Sequence, residues 1–438
     1  MRPAQHDLRR GFRALGAATT LVRIVDVVAV FVVLRILPND AIGEASVAWT
    51  LATLLEAWNG AGIGPALVQA RRVTRADLDS AFTAASLAGL VLFGVAALLG
   101  PIAARAYGDP RLVVYLPVTG TKLLALGLAA VPLARLQRAL RFEVVASLQV
   151  IATLVSAIVR VSVALAGGGA FAIVLAHASH GIATMVGVFV LAPFRPRLRL
   201  EATRLWPLFA FGAATSLHDT VYQAYRNVDF LLVGRLLGLS ALGVYRVIFD
   251  VAMEPLMAIS DVLTRTGARV YCRLVGDPPR LAEAVRYTFR TLLRLLGPVA
   301  LLLILALGAV LDLLGGDRFD EALPAGRLLV VAAFVRALFQ LVPAVFTSVG
   351  RPGLSVVAAT TLLVLLSLGI GVPLALVGER AGLLPVALAW LVAPLVVGLA
   401  TLRPLRDLGA IASDASTPPP HPSSTGHPEL DPASEPSP

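Results

Sequence analysis

At 438 residues, 57% hydrophobic and only 15% charged, the chain falls well outside the composition of a soluble globular protein and reads as a polytopic membrane protein. Its formal charge of +10 is dispersed over many short segments, with no single patch interleaved with aromatics, which argues against nucleic acid as a partner. The single cysteine, Cys272, excludes an intramolecular disulfide framework and a cysteine-based metal cluster, and it reads as an inert cytoplasmic thiol.

The N-terminus carries Arg2, Arg9, Arg10 and Arg13 ahead of an apolar run over 14–36. That run is long enough to span at 1.5 Å per residue and lacks a small-residue cleavage site after it, so it is expected to be a retained first helix. Five more apolar segments follow at 41–64, 80–106, 112–135, 143–166 and 171–192. A second set lies at 207–236, 240–266, 291–313, 325–349, 354–377 and 382–403. Beyond Arg406 the composition turns to Pro, Ser, Thr, Asp and Glu, too polar to offset its ordering entropy, so 407–438 is expected to be a disordered cytoplasmic tail.

The two sets echo each other. Gly16-Ala17-Ala18-Thr19 recurs as Gly212-Ala213-Ala214-Thr215. Arg35-Ile36-Leu37 followed by Ala41-Ile42-Gly43 recurs as Arg235-Leu236-Leu237 followed by Ala241-Leu242-Gly243, and Val131-Pro132 matches Val342-Pro343. Each match alone is weak, but their common order supports an all-α membrane protein of twelve transmembrane helices in two pseudo-symmetric six-helix lobes, 1–200 and 201–406.

Arginine placement sets the expected orientation. The N-terminus, alternate loops at Arg71, Arg72 and Arg75, at Arg135, Arg138 and Arg141, and at Arg195, Arg197, Arg199 and Arg204, and the tail at Arg403 and Arg406 are basic. The loop after the eighth span is expected to continue this series from Arg265 to Arg290. The intervening loops are short and poor in cations, and the one at Asp312, Asp317, Asp320 and Glu321 is acidic. Both termini are therefore expected in the cytoplasm.

Polar stripes interrupt equivalent spans. Thr19, Arg23 and Asp26 share one face of the first, and Trp49, Thr53, Glu56 and Gly60 one face of the second. The seventh carries His218, Asp219, Tyr222, Tyr225, Arg226 and Asp229, and the eighth Arg246, Asp250, Glu254 and Asp261. An ionisable group at mid-bilayer costs roughly 2.5–3.5 kcal/mol on insertion scales, so rows of them are expected to line a wet cleft. Arg23 with Asp26, Arg226 with Asp229 and Arg246 with Asp250 also have spacings that permit local pairing, and both readings stay open. Lys122 in the fourth span and Arg336 in the tenth have no acid within four positions, so each needs a partner from another helix, a water cavity or a ligand. Arg160 reads as snorkelling or cavity lining, and Tyr222 and Tyr225 as glycan platforms or interhelical packing. His177 and His180 share a face, but without a third ligand a metal site is not expected.

No catalytic constellation emerges: G-x-S-x-G, a phosphate-binding glycine loop and a Cys/His cluster are all missing from the sequence. The expectation is a transporter with no catalytic residues, no metal and no cofactor, drawing if anything on an H+ or Na+ gradient.

Gly62-Ile63-Gly64-Pro65-Ala66-Leu67-Val68-Gln69, Val73-Thr74-Arg75-Ala76-Asp77-Leu78, Ala106-Tyr107-Gly108-Asp109-Pro110 and Asn227-Val228-Asp229-Phe230-Leu231-Leu232-Val233-Gly234-Arg235-Leu236-Leu237-Gly238 carry a resemblance. Together with Val131-Pro132 through Leu140-Arg141-Phe142 they make the chain similar to Wzx-type O-antigen and exopolysaccharide flippases of the MATE-like MOP superfamily. The resemblance implies a bacterial inner-membrane flippase moving undecaprenyl-diphosphate-linked oligosaccharide to the periplasmic leaflet, with polysaccharide polymerase and chain-length proteins as further partners. On that reading Arg23, Lys122, Arg226 and Arg336 contact the diphosphate or an acidic sugar, with Tyr222 and Tyr225 beside them. Asp26, Glu56, Asp219, Asp229, Asp250 and Glu254 balance charge or couple to ions. A cation-coupled multidrug exporter of the same superfamily is the alternative, and a membrane glycosyltransferase or polymerase the alternative of another class.

Overall fold

A computed structural model describes residues 25–26, 28–59, 63–70, 72–199 and 201–406. Arg23, the start of the first span and the 407–438 tail lie outside the described residues. Among the described residues every regular element is helical. The first half comprises α1 (28–36), α2 (Asn39–Glu56), α3 (Ile63–Gln69), α4 (Arg75–Tyr107), α5 (Leu112–Arg138), α6 (Phe142–Leu165) and α7 (Phe171–Leu191). The second comprises α8 (Ala202–Leu236), α9 (Gly238–Leu274), α10 (Pro278–Gly315), α11 (Leu323–Phe339), α12 (Leu341–Ser348), α13 (Pro352–Val377) and α14 (Leu384–Arg406). Taking α2 with α3 and α11 with α12 as broken spans gives twelve crossings in two six-helix lobes. Their turns alternate between the side of the membrane bearing Pro38 and the side bearing Arg141, here called the Pro38 face and the Arg141 face.

Among the described residues seven stretches are long and apolar enough to cross a membrane by length and composition, and they cover α4–α7 and α10–α14. Among the long described helices, those outside this set, α2, α8 and α9, carry the polar stripes of the second, seventh and eighth spans. Their departure from apolarity is concentrated on equivalent elements of the two halves, as expected for helices facing each other across a cleft and not facing lipid.

Local chemistry sets the helix ends. Thr74 and Asp77 form a reciprocal capping box at the start of α4, with Asp77 Oδ2 accepting from the Thr74 amide at 2.8 Å. Gly108 ends that helix in the left-handed conformation at φ 72°. Beside it, Arg111 engages both Asp109 and Glu44, and the hydrogen bond it donates to the Asp109 carboxylate is the main reason its pKa rises above the ordinary value.

The expected loop between the eighth and ninth spans is instead helical. α9 runs on to Leu274 and α10 starts at Pro278, leaving only a three-residue joint. Asp277 caps α10 through the Arg280 amide at 3.2 Å, and two prolines occupy its first turn, a strong start signal. The extensions are amphipathic: Tyr271 and Leu281 bury against Leu341, Val345 and Val349, while Arg265, Arg273, Arg280 and Arg286 stay exposed.

The halves meet mainly through α2 and α9, with α8 packed on α2, α3 and α4. The buried face of α2 is built from small residues, Ala41, Gly43, Ala45, Ser46 and Ala48, which let the α9 backbone come close. At the Pro38 face the halves are also stitched by hydrogen bonds. Arg318 donates to the Leu37 and Leu34 carbonyls at 3.0 and 3.2 Å, Arg35 donates to the Leu313 carbonyl at 2.8 Å, and Tyr107 donates to the Leu231 carbonyl at 3.2 Å.

Candidate functional site

The described residues of the polar stripes form a wall along α2, α8 and α9, continued by α5 and α7 on one side and α11 and α14 on the other. Arg246 on α9 stands at the junction of the halves. Its guanidinium lies 4.2 Å from the ring centre of Trp49 on α2 and 4.6 Å from that of Phe230, and its Nε reaches Asp250 Oδ2 at 3.0 Å. Trp49 in turn faces His177 on α7, with ring centres 6.1 Å apart.

In the first half Lys122 Nζ lies 2.9 Å from Glu56 Oε2, an ion pair between α5 and the end of α2. Gly181 on α7 leaves room for the lysine stem, since a methyl there would fall 2.7 Å from Lys122 Cγ. The sequence required a partner from elsewhere for Lys122, and another helix supplies it. Arg160 is likewise turned inward, pairing with Asp26 at 3.0 Å. His177 Nε2 and His180 Nδ1 are buried without hydrogen-bond partners beside this cluster. Among the described residues no group of three or more His, Cys, Asp or Glu is placed to hold a metal ion.

In the second half one pair permitted by local spacing does not form. Asp229 is fully buried and turned from Arg226, accepting from the Tyr245 hydroxyl and from Trp390 Nε1 at 3.0 Å. Arg226 instead approaches Glu254 of α9 at 3.9 Å and lies 5.7 Å from the Tyr222 ring centre. The physical reason is burial: Asp229 is sealed between α9 and α14, where two neutral donors, Tyr245 and Trp390, satisfy one of its oxygens and Arg226 need not be desolvated beside it. Arg246 with Asp250 is the local pair that does form. Asp219 is exposed on α8.

Arg336 on α11 is 6% exposed and has a different environment from Lys122. Its guanidinium lies 4.6 Å from the Trp390 ring centre and 5.0 Å from that of Tyr225, and among the described residues no carboxylate is within 4 Å of it. It borders a cavity of about 450 Å³ inside the second half, whose lining includes Tyr222, Tyr225, Arg269, Gln340 and Val397. Gln340 sits at the α11/α12 break and donates to Asp261, while its Oε1 is buried and unpartnered. The sequence reading missed Gln340, Tyr245 and Trp390. Gln340 carried a signal, a polar residue one helical turn beyond Arg336 in an apolar span, whereas nothing around Trp390 marked it.

Two six-helix halves joined along polar-striped helices, in a bundle otherwise apolar enough for the membrane, define a two-lobed helical membrane protein with a polar wall between its lobes. A family model described as polysaccharide biosynthesis protein matches residues 32–324, and the chain belongs to that family. It is 22% identical over 339 residues to the lipopolysaccharide biosynthesis protein WzxC of Escherichia coli (strain K12), covering 75% of this chain and 67% of that protein. It is 22% identical over 304 residues to the teichuronic acid biosynthesis protein TuaB of Bacillus subtilis (strain 168), covering 67% of this chain and 61% of that protein. Among solved structures it resembles an inward-facing multidrug resistance MATE family transporter of the MOP superfamily, with TM-score 0.66 at 15% identity over 89% of this chain and 95% of that one. It also resembles the lipid II flippase MurJ in an inward closed conformation, with TM-score 0.66 at 15% identity over 92% and 90%. The family match and these solved structures agree: a polysaccharide biosynthesis family member with the fold of MOP-superfamily proteins.

Proposed function

We propose that the protein is a flippase that moves undecaprenyl-diphosphate-linked oligosaccharide across the bacterial inner membrane for polysaccharide assembly. The observation that carries this reading is the set of ionisable groups on helices that meet between the halves while remaining accessible: Asp26, Glu56, Arg226 and Glu254. Such groups facing lipid are costly, whereas a wet interlobe path for a glycan stabilises them. The family match and the MurJ-like fold support the same conclusion.

In this reading the arginine-rich Arg141 face is cytoplasmic, together with both termini, and the Pro38 face is periplasmic. The two halves rock about the α2–α9 contact to expose the wall alternately to each side. The glycan passes along the polar wall, and the prenyl chain stays in or beside the apolar helices. Asp26, Glu56, Asp219 and Glu254 are the acids placed to take H+ or Na+ if a gradient drives transport. A polysaccharide polymerase and chain-length proteins would receive the product.

The test is translocation of a fluorescent lipid-linked oligosaccharide by the purified protein in proteoliposomes. Protein-dependent transfer between leaflets is expected. No transfer, together with ion-coupled efflux of a cationic drug, would replace this reading with that of a multidrug exporter, which the acids on the wall would also suit.

A further inference from the structure

Charged groups on the two sides of the wall are balanced unequally. In the first half Lys122 is neutralised by Glu56, and Arg160 by Asp26. In the second, Arg226 faces Glu254 and Arg246 faces Asp250. Arg336 is the exception: buried, stacked on Tyr225 and Trp390, and with no carboxylate within 4 Å among the described residues. The nearby acid Asp229 is engaged by Tyr245 and Trp390. A guanidinium carries five donors, and ring faces satisfy its charge only in part.

This cation closes one end of the 450 Å³ cavity in the second half. The cavity runs from Arg336 and Tyr225 along the broken α11/α12 span toward Arg269 and Thr401, near the helix ends at the Arg141 face. Its lining takes Arg336 from α11 and Thr347 from α12, on either side of the break at Gln340. Between its ends the walls are largely apolar, with Phe339, Leu362 and Val397 among them. Its volume lies in the roughly 300–1,000 Å³ range of small-molecule pockets and is too small for an oligosaccharide with its lipid. Tyr222 lines this cavity and also faces Arg226, so the closed end adjoins the interlobe wall. The buried, unpartnered Gln340 Oε1 adds an acceptor for a hydroxyl or a protonated oxygen.

We infer that this cavity is an anion-binding pocket in which Arg336 holds the phosphate end of an amphipathic molecule whose apolar chain lies along the α11–α14 walls. Resting on the flippase reading, it assigns the diphosphate of the lipid carrier to the second half and leaves the glycan to the wall beyond Tyr222. Lys122, already matched by Glu56, becomes part of the wall and not the phosphate contact.

The experiment is equilibrium binding to the full-length purified protein, with farnesyl diphosphate, farnesol and inorganic pyrophosphate as separate probes. Wild type is expected to bind farnesyl diphosphate, and Arg336→Gln to weaken that binding about tenfold or more, the loss of roughly one charge-assisted hydrogen bond. Arg336→Lys should recover part of it, and farnesol binding should not change in either variant. Val397→Trp, which fills the cavity and leaves Arg336 in place, should weaken both prenyl probes. Pyrophosphate binding as tightly as farnesyl diphosphate would support the anion site and assign it to a soluble anion. Unchanged farnesyl diphosphate binding in a folded Arg336→Gln protein overturns the inference, and if that protein still flips lipid-linked oligosaccharide the flippase reading survives without it. Binding lost in Arg336→Gln, in a protein whose wild type does not flip, leaves the pocket and removes the flippase.

Discussion

Gly43 and Gly243 hold equivalent places in the two halves, and each is pressed against the backbone of the other half. A methyl on Gly43 would fall 1.9 Å from the Leu239 carbonyl oxygen, and one on Gly243 would fall 1.9 Å from that of Asn39. Leu239 and Asn39 each lie four residues before the opposing glycine, so the contact is two-fold in character. It seals α2 against α9 at the Pro38 face, where the Ala41-Ile42-Gly43 and Ala241-Leu242-Gly243 echo had already marked the sequence.

Because the obstructing atoms are backbone, an added methyl cannot be absorbed by a rotamer change, and α2 and α9 must move apart. Gly43→Ala and Gly243→Ala are each expected to destabilise the state closed at the Pro38 face by about 1–3 kcal/mol, the usual scale of overpacking. That corresponds to a shift of roughly 5- to 150-fold toward the state open at that face. Labelling of a cysteine placed at Asn39, in a Cys272→Ser background, by a membrane-impermeant maleimide should rise accordingly. Labelling equal to that of the parent would show that the crossing does not control access.

Arg318 supports the same closure by a separate device. Its guanidinium caps the last carbonyls of the first helix, Leu34 and Leu37, from the second half, while Arg35 returns a bond to Leu313. Arg318→Gln removes charge-assisted donors worth roughly 1.5–3 kcal/mol together. Increased maleimide labelling at the Pro38 face is expected, with bundle helicity by circular dichroism unchanged. If helicity falls instead, Arg318 supports the fold and not the closure.

Much of this fold was legible because the membrane penalises polarity strongly. The span count and the placing of the stripes on equivalent spans follow from where apolar sequence is interrupted, and the equivalence of Gly43 with Gly243 follows from the Ala41-Ile42-Gly43 and Ala241-Leu242-Gly243 echo. What was not legible were contacts between distant segments. Glu56 and Lys122 are 66 residues apart, and Asp229 and Trp390 are 161 apart, so helical spacing could not pair them. Local spacing suggested Arg226 with Asp229 instead, and burial between α9 and α14 decided otherwise. The α9–α10 joint differs for another reason: an arginine-rich stretch resembles a loop in a hydropathy scan, and the burial of Tyr271 on α9 and Leu281 on α10 depends on Leu341, Val345 and Val349 of a distant segment.

The Asp229 site gives a second stability test. One of its oxygens accepts from both Tyr245 and Trp390, and Oδ1 has no partner, so the carboxylate is already under-satisfied. Removing a donor therefore leaves a buried carboxylate with less compensation. Tyr245→Phe and Trp390→Phe are each expected to cost about 1–3 kcal/mol. Asp229→Asn, which removes the charge and keeps an acceptor, should suppress most of that cost when combined with either. Thermal unfolding in detergent would read this, and equal losses in the Asp229 and Asp229→Asn backgrounds would show that the rings matter through packing alone.

The Lys122–Glu56 pair separates a wall role from direct substrate contact. Lys122 is mostly buried and Glu56 partly so, which puts the interaction between the exposed and fully buried limits. Glu56→Gln leaves the ammonium beside His177 and His180 without its carboxylate, and Lys122→Gln leaves the carboxylate alone, so each single change should lower stability by about 1–3 kcal/mol. The double variant Glu56→Gln with Lys122→Gln removes both charges and keeps hydrogen-bonding amides, so its loss should be well below the sum of the singles. If the pair is a neutral element of the wall, the double variant should also regain flipping of the fluorescent lipid-linked oligosaccharide. Stability regained without flipping would instead make Lys122 a contact for the substrate, and it would move part of the anion binding back into the first half.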